Sequence, residues 1–209
     1  MTVYHLGRSQ SERVVWLCEE LGLGYELIRY TRDPFTILAP PELKAVHPLG
    51  SAPLITDDSP ALAESGAIVE YILAKYGAGK LAVTQDEPEF ADFLHFANGA
   101  VQLAVSRCFY LRRLDLPPEN PVLVAAEGSL ERAFRYVDER LSAVPYFAGP
   151  VFTAADIMMV FSLTTMRLFV PVALAHYPAI LAYLQRIGSC EGYRRAMEKG
   201  DPGFPPMLT

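Results

Sequence analysis

Cysteine is scarce. Cys18, Cys108 and Cys190 are the only three; they lie far apart, and each falls in an apolar helical pattern. That leaves no disulfide framework, no CxxC redox pair and no zinc-ligand spacing, and it suits a reducing compartment in which the thiols are small buried filler. Basic residues are outnumbered: 18 Lys and Arg against 24 Asp and Glu give a net charge of −6. The positive surface that nucleic acid or an anionic membrane face would require is missing. No apolar run is long enough to span a bilayer. The opening MTVYHLGRSQ has no basic start ahead of an apolar core, so a secretory signal is not expected and the expected location is cytoplasmic. Internal repeats and low-complexity tracts are absent as well.

What remains is an ordinary globular composition, 51% hydrophobic and 20% charged over 209 residues, enough for one large domain or two small ones with real cores. The two halves differ in pattern. Residues 2–6 (TVYHL) and 25–30 (YELIRY) alternate as strands. Between them Ser11–Leu23 has the helical period, with Val14, Val15, Leu17, Cys18 and Leu21 on one face and Gly22 and Gly24 ending it. A weaker helix or turn is expected over Thr36–Val46, interrupted by Pro40 and Pro41. A hairpin follows around Asp57-Asp58-Ser59, then a helix over Glu64–Tyr76. The order predicts a small mixed sheet covered by helices. Residues 80–87 mark a linker. Beyond it strand signals vanish, and helices are expected over Pro88–Asp115, Val122–Val144, Thr153 to about Phe169, Tyr177–Ile187 and Glu191–Lys199. Thr153 and Asp156 have the spacing of a capping box.

The richest stretch is His47–Ile72. It begins His47-Pro48-Leu49-Gly50-Ser51-Ala52-Pro53-Leu54-Ile55, with a proline at the mouth of a short apolar strand. An X-Pro bond is the only one that readily goes cis, and a bend there would turn the Ala52 amide and carbonyl outward, ready to pair with an extended peptide. Glu64 and Ser65 then open a helix, whose free amides and dipole favour an anion. Together these features suit a small peptide carrying both an amine and a carboxylate.

Five segments in order give the chain a family resemblance: Ser9-Gln10-Ser11-Glu12-Arg13, Leu21-Gly22-Leu23-Gly24-Tyr25-Glu26-Leu27, His47 to Ile55, Glu64-Ser65-Gly66-Ala67-Ile68, and Phe152-Thr153-Ala154-Ala155-Asp156-Ile157. With these the sequence resembles the cytosolic glutathione transferases, in particular the serine-type, theta-like or bacterial branch. The resemblance implies an α/β thioredoxin-like domain over residues 1–79 and an all-α helical domain over residues 87–209. It implies glutathione as cosubstrate, no metal, and a homodimer.

By the same resemblance Ser9 is the residue that stabilises the glutathione thiolate, with Tyr4 and Ser11 as alternatives. Ser11 is also a natural helix cap, which would leave Ser9 free. His5 reads as a satisfied strand histidine and Arg13 as a brace of the fold. The cysteinyl backbone is expected at Ala52 beside Pro53, the γ-glutamyl group at Glu64 and Ser65, and the glycyl carboxylate at Lys44 and His47. Many relatives carry a lysine or arginine where Ser51 stands, so that end of the site departs from the family pattern. The electrophile is expected against Arg107, Tyr110, Arg113 and Phe169, between the two halves. The activity implied is transfer of an alkyl or aryl group to glutathione. The alternatives are a glutathione-dependent peroxidase or disulfide reductase, or a non-catalytic binding protein of the same fold.

Overall fold

The computed structural model describes residues 1–58, 60–82 and 88–209. Of the expected linker, residues 83–87 lie outside the described residues, as does Ser59 of the expected hairpin turn. Two compact units are present. The first is Met1–Ala82 with Gly188–Pro206, and the second is the described part of Val83–Ile187 with Met207–Thr209.

In the first unit the order is β1 (Thr2–Leu6), α1 (Glu12–Leu21), β2 (Glu26–Tyr30), α2 (Leu43–Val46), β3 (Leu54–Thr56), β4 (Leu62–Ala63) and α3 (Ser65–Tyr76). The sheet runs β2-β1-β3-β4. β1 and β2 are parallel, Val3 opposite Leu27, because the α1 crossover returns the chain to the same direction; β3 and β4 are antiparallel to their neighbours. Val14, Val15, Leu17 and Cys18 of α1 are fully buried, each of the aliphatic ones contributing roughly 1.5–3 kcal/mol. α1 stops at Leu21 because Gly22 takes φ +68° and lets the Leu23 N–H reach the Cys18 carbonyl at 3.0 Å. α2 is shorter than expected: Pro40 and Pro41 have no N–H to give a preceding helical turn, and a turn with the Leu43 N–H on the Pro40 carbonyl at 3.2 Å leads into the helix.

The unit is completed by α9 (Glu191–Gly200), which packs on α1. Trp16 meets Tyr193 edge-on at 4.8 Å, and Glu19 accepts from Tyr25 at 2.7 Å, Lys199 at 2.6 Å and Arg195 at 3.3 Å. α9 leads into Asp201, and its end thereby reaches the tip of β1, where His5 Nε2 stands 3.2 Å from Asp201 Oδ2.

The second unit is helical. The single helix expected over Pro88–Asp115 is instead α4 (Pro88–Phe96), a π-helical turn (Ala97–Gln102) and α5 (Leu103–Leu111). α6 (Pro121–Ala143) is capped by Asn120, whose side chain accepts the Val122 N–H at 3.0 Å. Every residue of α7 (Ala154–Leu163) is buried, so it forms the axis of this unit. Its start is the expected capping box, with Asp156 accepting the Thr153 N–H at 2.9 Å. Burial pushes the Asp156 carboxyl up to about 6. α7 ends earlier than expected because Thr164 turns away, its hydroxyl taken by the Val160 carbonyl at 2.8 Å. α8 (Pro178–Ser189) follows. Among the described residues no helix is long and apolar enough to cross a membrane.

Candidate functional site

The β1–α1 loop, the turn before β3 and the start of α3 are joined by one run of hydrogen bonds. Arg13 Nη1 donates to Ser65 Oγ at 3.2 Å and to Gln10 Oε1 at 3.2 Å, and Gln10 Nε2 reaches the Ala52 carbonyl at 3.5 Å. Arg13 is fully buried. Burial pulls its guanidinium down to about 9, with Glu12 acting the other way, so it stays a cation at neutral pH.

Ser9 stands where β1 ends and α1 begins. Its carbonyl accepts the Glu12 N–H at 3.0 Å, so it sits at the positive end of the helix dipole. The side chain is only 4% exposed, with Oγ 2.7 Å from Ser11 Oγ and 3.2 Å from the Ser11 N–H. The division of labour expected from the sequence, Ser11 capping and Ser9 free, is not what forms. Ser11 makes no side-chain cap bond to α1. Its hydroxyl turns back to the end of β1, accepting the Leu6 N–H at 3.1 Å and facing His5 Nδ1 at 2.9 Å. Tyr4 packs against the cluster of Leu6, Leu43, Ala52 and Leu54, and its hydroxyl pairs with Thr56 Oγ1 at 3.4 Å.

The Ala52–Pro53 peptide is cis, and Pro53 and Ala52 are buried. Glu64 is exposed and held at φ 70°, ψ 113°. A non-glycine residue there is strained, and such strain persists where the surroundings over-determine it. It places Ser65, buried at 2%, at the head of α3, where first-turn amides have no acceptor within the helix. Lys44 is on α2, and His47 and Ser51 follow it before β3; none of the three is joined by this run of hydrogen bonds. Lys44 lays its stem over Gly50 (φ +58°), where a Cβ would come within 2.5 Å of Lys44 Cγ. His47 Nδ1 accepts the Leu49 N–H at 3.3 Å, and Ser51 is exposed.

In the second unit, Phe109 gathers three of the four residues expected to receive an electrophile. The Arg113 guanidinium lies over its ring at 3.6 Å, Tyr110 meets it edge-on at 5.2 Å, and Phe169 edge-on at 5.9 Å. Tyr110 is 66% exposed. Arg107 lines a different groove, with Phe96, Leu103, Arg132 and Tyr136. Phe204 falls in the first unit and lines a groove with Arg8 and Tyr30.

Sequence reasoning passed over Gln10 and Arg13 as site residues. Their i, i+3 spacing at a helix start was the available signal, since it stacks the two side chains. His5 and Asp201 gave none, being 196 positions apart.

Similarity to known proteins agrees with this architecture. The family model described as "Glutathione S-transferase, N-terminal domain" matches residues 1–74, and that for the C-terminal domain matches residues 99–191. Glutathione S-transferase 1 of Saccharomyces cerevisiae is 31% identical over 221 residues, covering 94% of each chain. A glutathione S-transferase structure from Actinobacillus pleuropneumoniae superposes with a TM-score of 0.87 at 31% identity, over 96% of this chain and 92% of that one. A sphingomonad glutathione S-transferase complexed with glutathione shares the fold, with a TM-score of 0.77 at 22% identity over 96% of this chain and 98% of that one. The chain belongs to the glutathione S-transferase family.

Proposed function

We propose that this protein is a serine-type glutathione transferase, which binds glutathione in its first unit and holds the thiol as a thiolate beside Ser9 for attack on a small hydrophobic electrophile. The observation that carries the reading is the Ser9 hydroxyl at the α1 N-terminus, on the same loop as Gln10, which with Arg13 joins Ala52 and Ser65 by hydrogen bonds. A free thiol near pKa 8.5 is about 3% ionised at neutral pH. Lowering that value to about 6.5 raises the thiolate fraction roughly 25-fold, for about 2.7 kcal/mol of differential stabilisation. A hydroxyl donor and a helix N-terminus acting on one sulfur supply an effect of that order.

The peptide's other groups fit the same region. The cysteinyl backbone pairs with Ala52 beside Pro53. The γ-glutamyl carboxylate takes the Ser65 hydroxyl and the first amides of α3, and its ammonium meets Glu64. Lys44, His47 and Ser51 receive the glycyl carboxylate. Tyr110, Arg113 and Phe169 receive the electrophile, with Arg107 assigned to the same role from its own groove. No metal takes part. The protein works as a homodimer in the cytoplasm, and a species of only 23.1 kDa in solution at micromolar concentration would contradict the dimer.

The activity is tested with glutathione and a panel of halogenated aromatics, epoxides, isothiocyanates and organic hydroperoxides. Conjugates are the expected products. Oxidised glutathione as the main product would replace the transferase reading with a peroxidase one. No turnover on any compound and no retention on immobilised glutathione would leave a binding protein of this fold.

A further inference from the structure

Behind Ser9 a row of polar side chains runs into the first unit. Ser9 Oγ is 2.7 Å from Ser11 Oγ, Ser11 Oγ is 2.9 Å from His5 Nδ1, and His5 Nε2 is 3.2 Å from Asp201 Oδ2. Ser11 and His5 are completely buried. Asp201 is fixed by the Arg8 backbone N–H, which reaches both of its oxygens at 2.9 and 3.1 Å. Two glycines make room for this end of the row. A Cβ at Gly200 would stand 3.2 Å from His5 Nε2, and one at Gly7 would stand 3.1 Å from Asp201 Oδ1. His5 has charged neighbours among the described residues. Asp201 touches it. Arg32, from the loop after β2, donates to the Gly7 and Arg8 carbonyls and interacts with Asp201. Arg29, paired with His5 in the sheet, is exposed.

The partners fix where the protons sit. A carboxylate at Nε2 holds the imidazole proton on that nitrogen, which leaves Nδ1 as an acceptor. Ser11 therefore donates to Nδ1, its other nearby acceptor being the Leu6 carbonyl at 3.3 Å. Ser11 Oγ in turn accepts the Leu6 N–H and the Ser9 hydroxyl. Ser9 Oγ accepts the Ser11 N–H and keeps one lone pair for a further donor.

We infer that Ser9, Ser11 and His5 form a relay that carries the thiol proton of bound glutathione inward to His5, with Asp201 as the counter-charge. The inference rests on the reading of Ser9 given above. The thiol S–H bond breaks and its proton goes to Ser9 Oγ. Ser9 passes its own proton to Ser11 Oγ, and Ser11 passes its own to His5 Nδ1, where an N–H bond forms. No net charge is created: a thiolate and an imidazolium replace a thiol and an imidazole. In the product state the hydrogen bonds between Ser9, Ser11 and His5 have reversed, while His5 Nε2 still donates to Asp201. His5 donates to Ser11, Ser11 to Ser9, and Ser9 to the sulfur anion, which is the direction that stabilises the thiolate. An ordinary thiol, near 8.5, holds its proton roughly a hundredfold more tightly than an ordinary imidazole, near 6.5. The Ser9 donor at sulfur acts to close that gap.

The test is to add glutathione to the full-length protein in weakly buffered solution near neutral pH, reading thiolate absorbance and protons released to an indicator dye together. Wild type, His5→Asn and Ser11→Ala are compared. The Asn oxygen keeps an acceptor for Ser11 but takes no proton. The relay predicts thiolate without a released proton in wild type. In each variant it predicts either about a tenfold loss of thiolate or one released proton for each thiolate formed. A purely bracing role for His5 would not change where the proton goes, and Ser11→Ala gives the same readout should His5→Asn fold poorly. Wild type that releases one proton per thiolate, or variants that match wild type in both signals, would overturn the relay while leaving Ser9 its role. Wild type that forms no thiolate at all would instead remove the reading of Ser9 itself.

Discussion

Arg13 Nη1 donates to Ser65 Oγ at 3.2 Å, so a buried cation at the start of α1 fixes the hydroxyl at the head of α3. The same nitrogen holds Gln10, which in turn reaches the Ala52 carbonyl. Arg13 thus positions groups assigned to glutathione without being the group that meets sulfur. Arg13→Met keeps much of the volume and removes the bonds. Losing one charge-assisted bond of this kind costs about 1.5–3 kcal/mol. The expected result, read by calorimetry, is at least tenfold weaker glutathione binding with an unchanged thiolate fraction once the site is saturated. Arg13→Lys restores little, since a point charge cannot span both partners.

Much of the fold was legible in the sequence for local reasons. Alternation marked β1 and β2, Gly22 marked the end of α1, the Ala52-Pro53 pair marked the cis turn, and Thr153 with Asp156 marked the start of α7. Each rests on neighbours a few positions apart. The π-helical turn at Ala97–Gln102 was not legible, because one wider turn leaves the apolar spacing of Pro88–Leu111 nearly intact. Nor was the behaviour of Ser11. Propensity makes a serine at that position a cap, and the tertiary partners Leu6 and His5 took its hydroxyl instead. The closing of the row by Asp201 depends on how α9 packs on α1, which no local pattern encodes.

Asp57 governs the acid stability of the first unit. Lys75 and then Tyr76 hold its carboxyl well below the usual carboxylate range by hydrogen bonding, with Tyr71 adding to them against the cost of burial. A depressed folded value contributes stability that is complete above the unfolded value near 3.9 and is lost as pH falls below it. Asp57→Asn therefore lowers Tm by several degrees at neutral pH, for about 1–3 kcal/mol. The gap from wild type closes as melting is followed from pH 6 down to about pH 2. A constant gap across that range would contradict the assignment.

Arg113 and Phe109 belong to the group of side chains assigned to the electrophile. The guanidinium stacks on Phe109 beside Tyr110 and Phe169, all in the second unit, whereas the residues assigned to glutathione lie in the first. Arg113→Ala removes the stacked cation and leaves the apolar rings. With an aromatic electrophile the expected change is a severalfold rise in its KM, for roughly 1 kcal/mol of lost contact, with the KM for glutathione unaltered. Equal changes in both constants would mean that Arg113 acts on the fold and not on the second substrate.

The most direct measurement of the central claim is the thiolate absorbance of the glutathione complex, titrated against pH in wild type and Ser9→Ala. Wild type should show a bound thiol ionising near 6.5, and Ser9→Ala a value raised by about one to two pH units, with glutathione still bound at saturating concentration. Coincident titration curves for the two proteins would contradict the account, because the sulfur would then owe its charge to something other than Ser9.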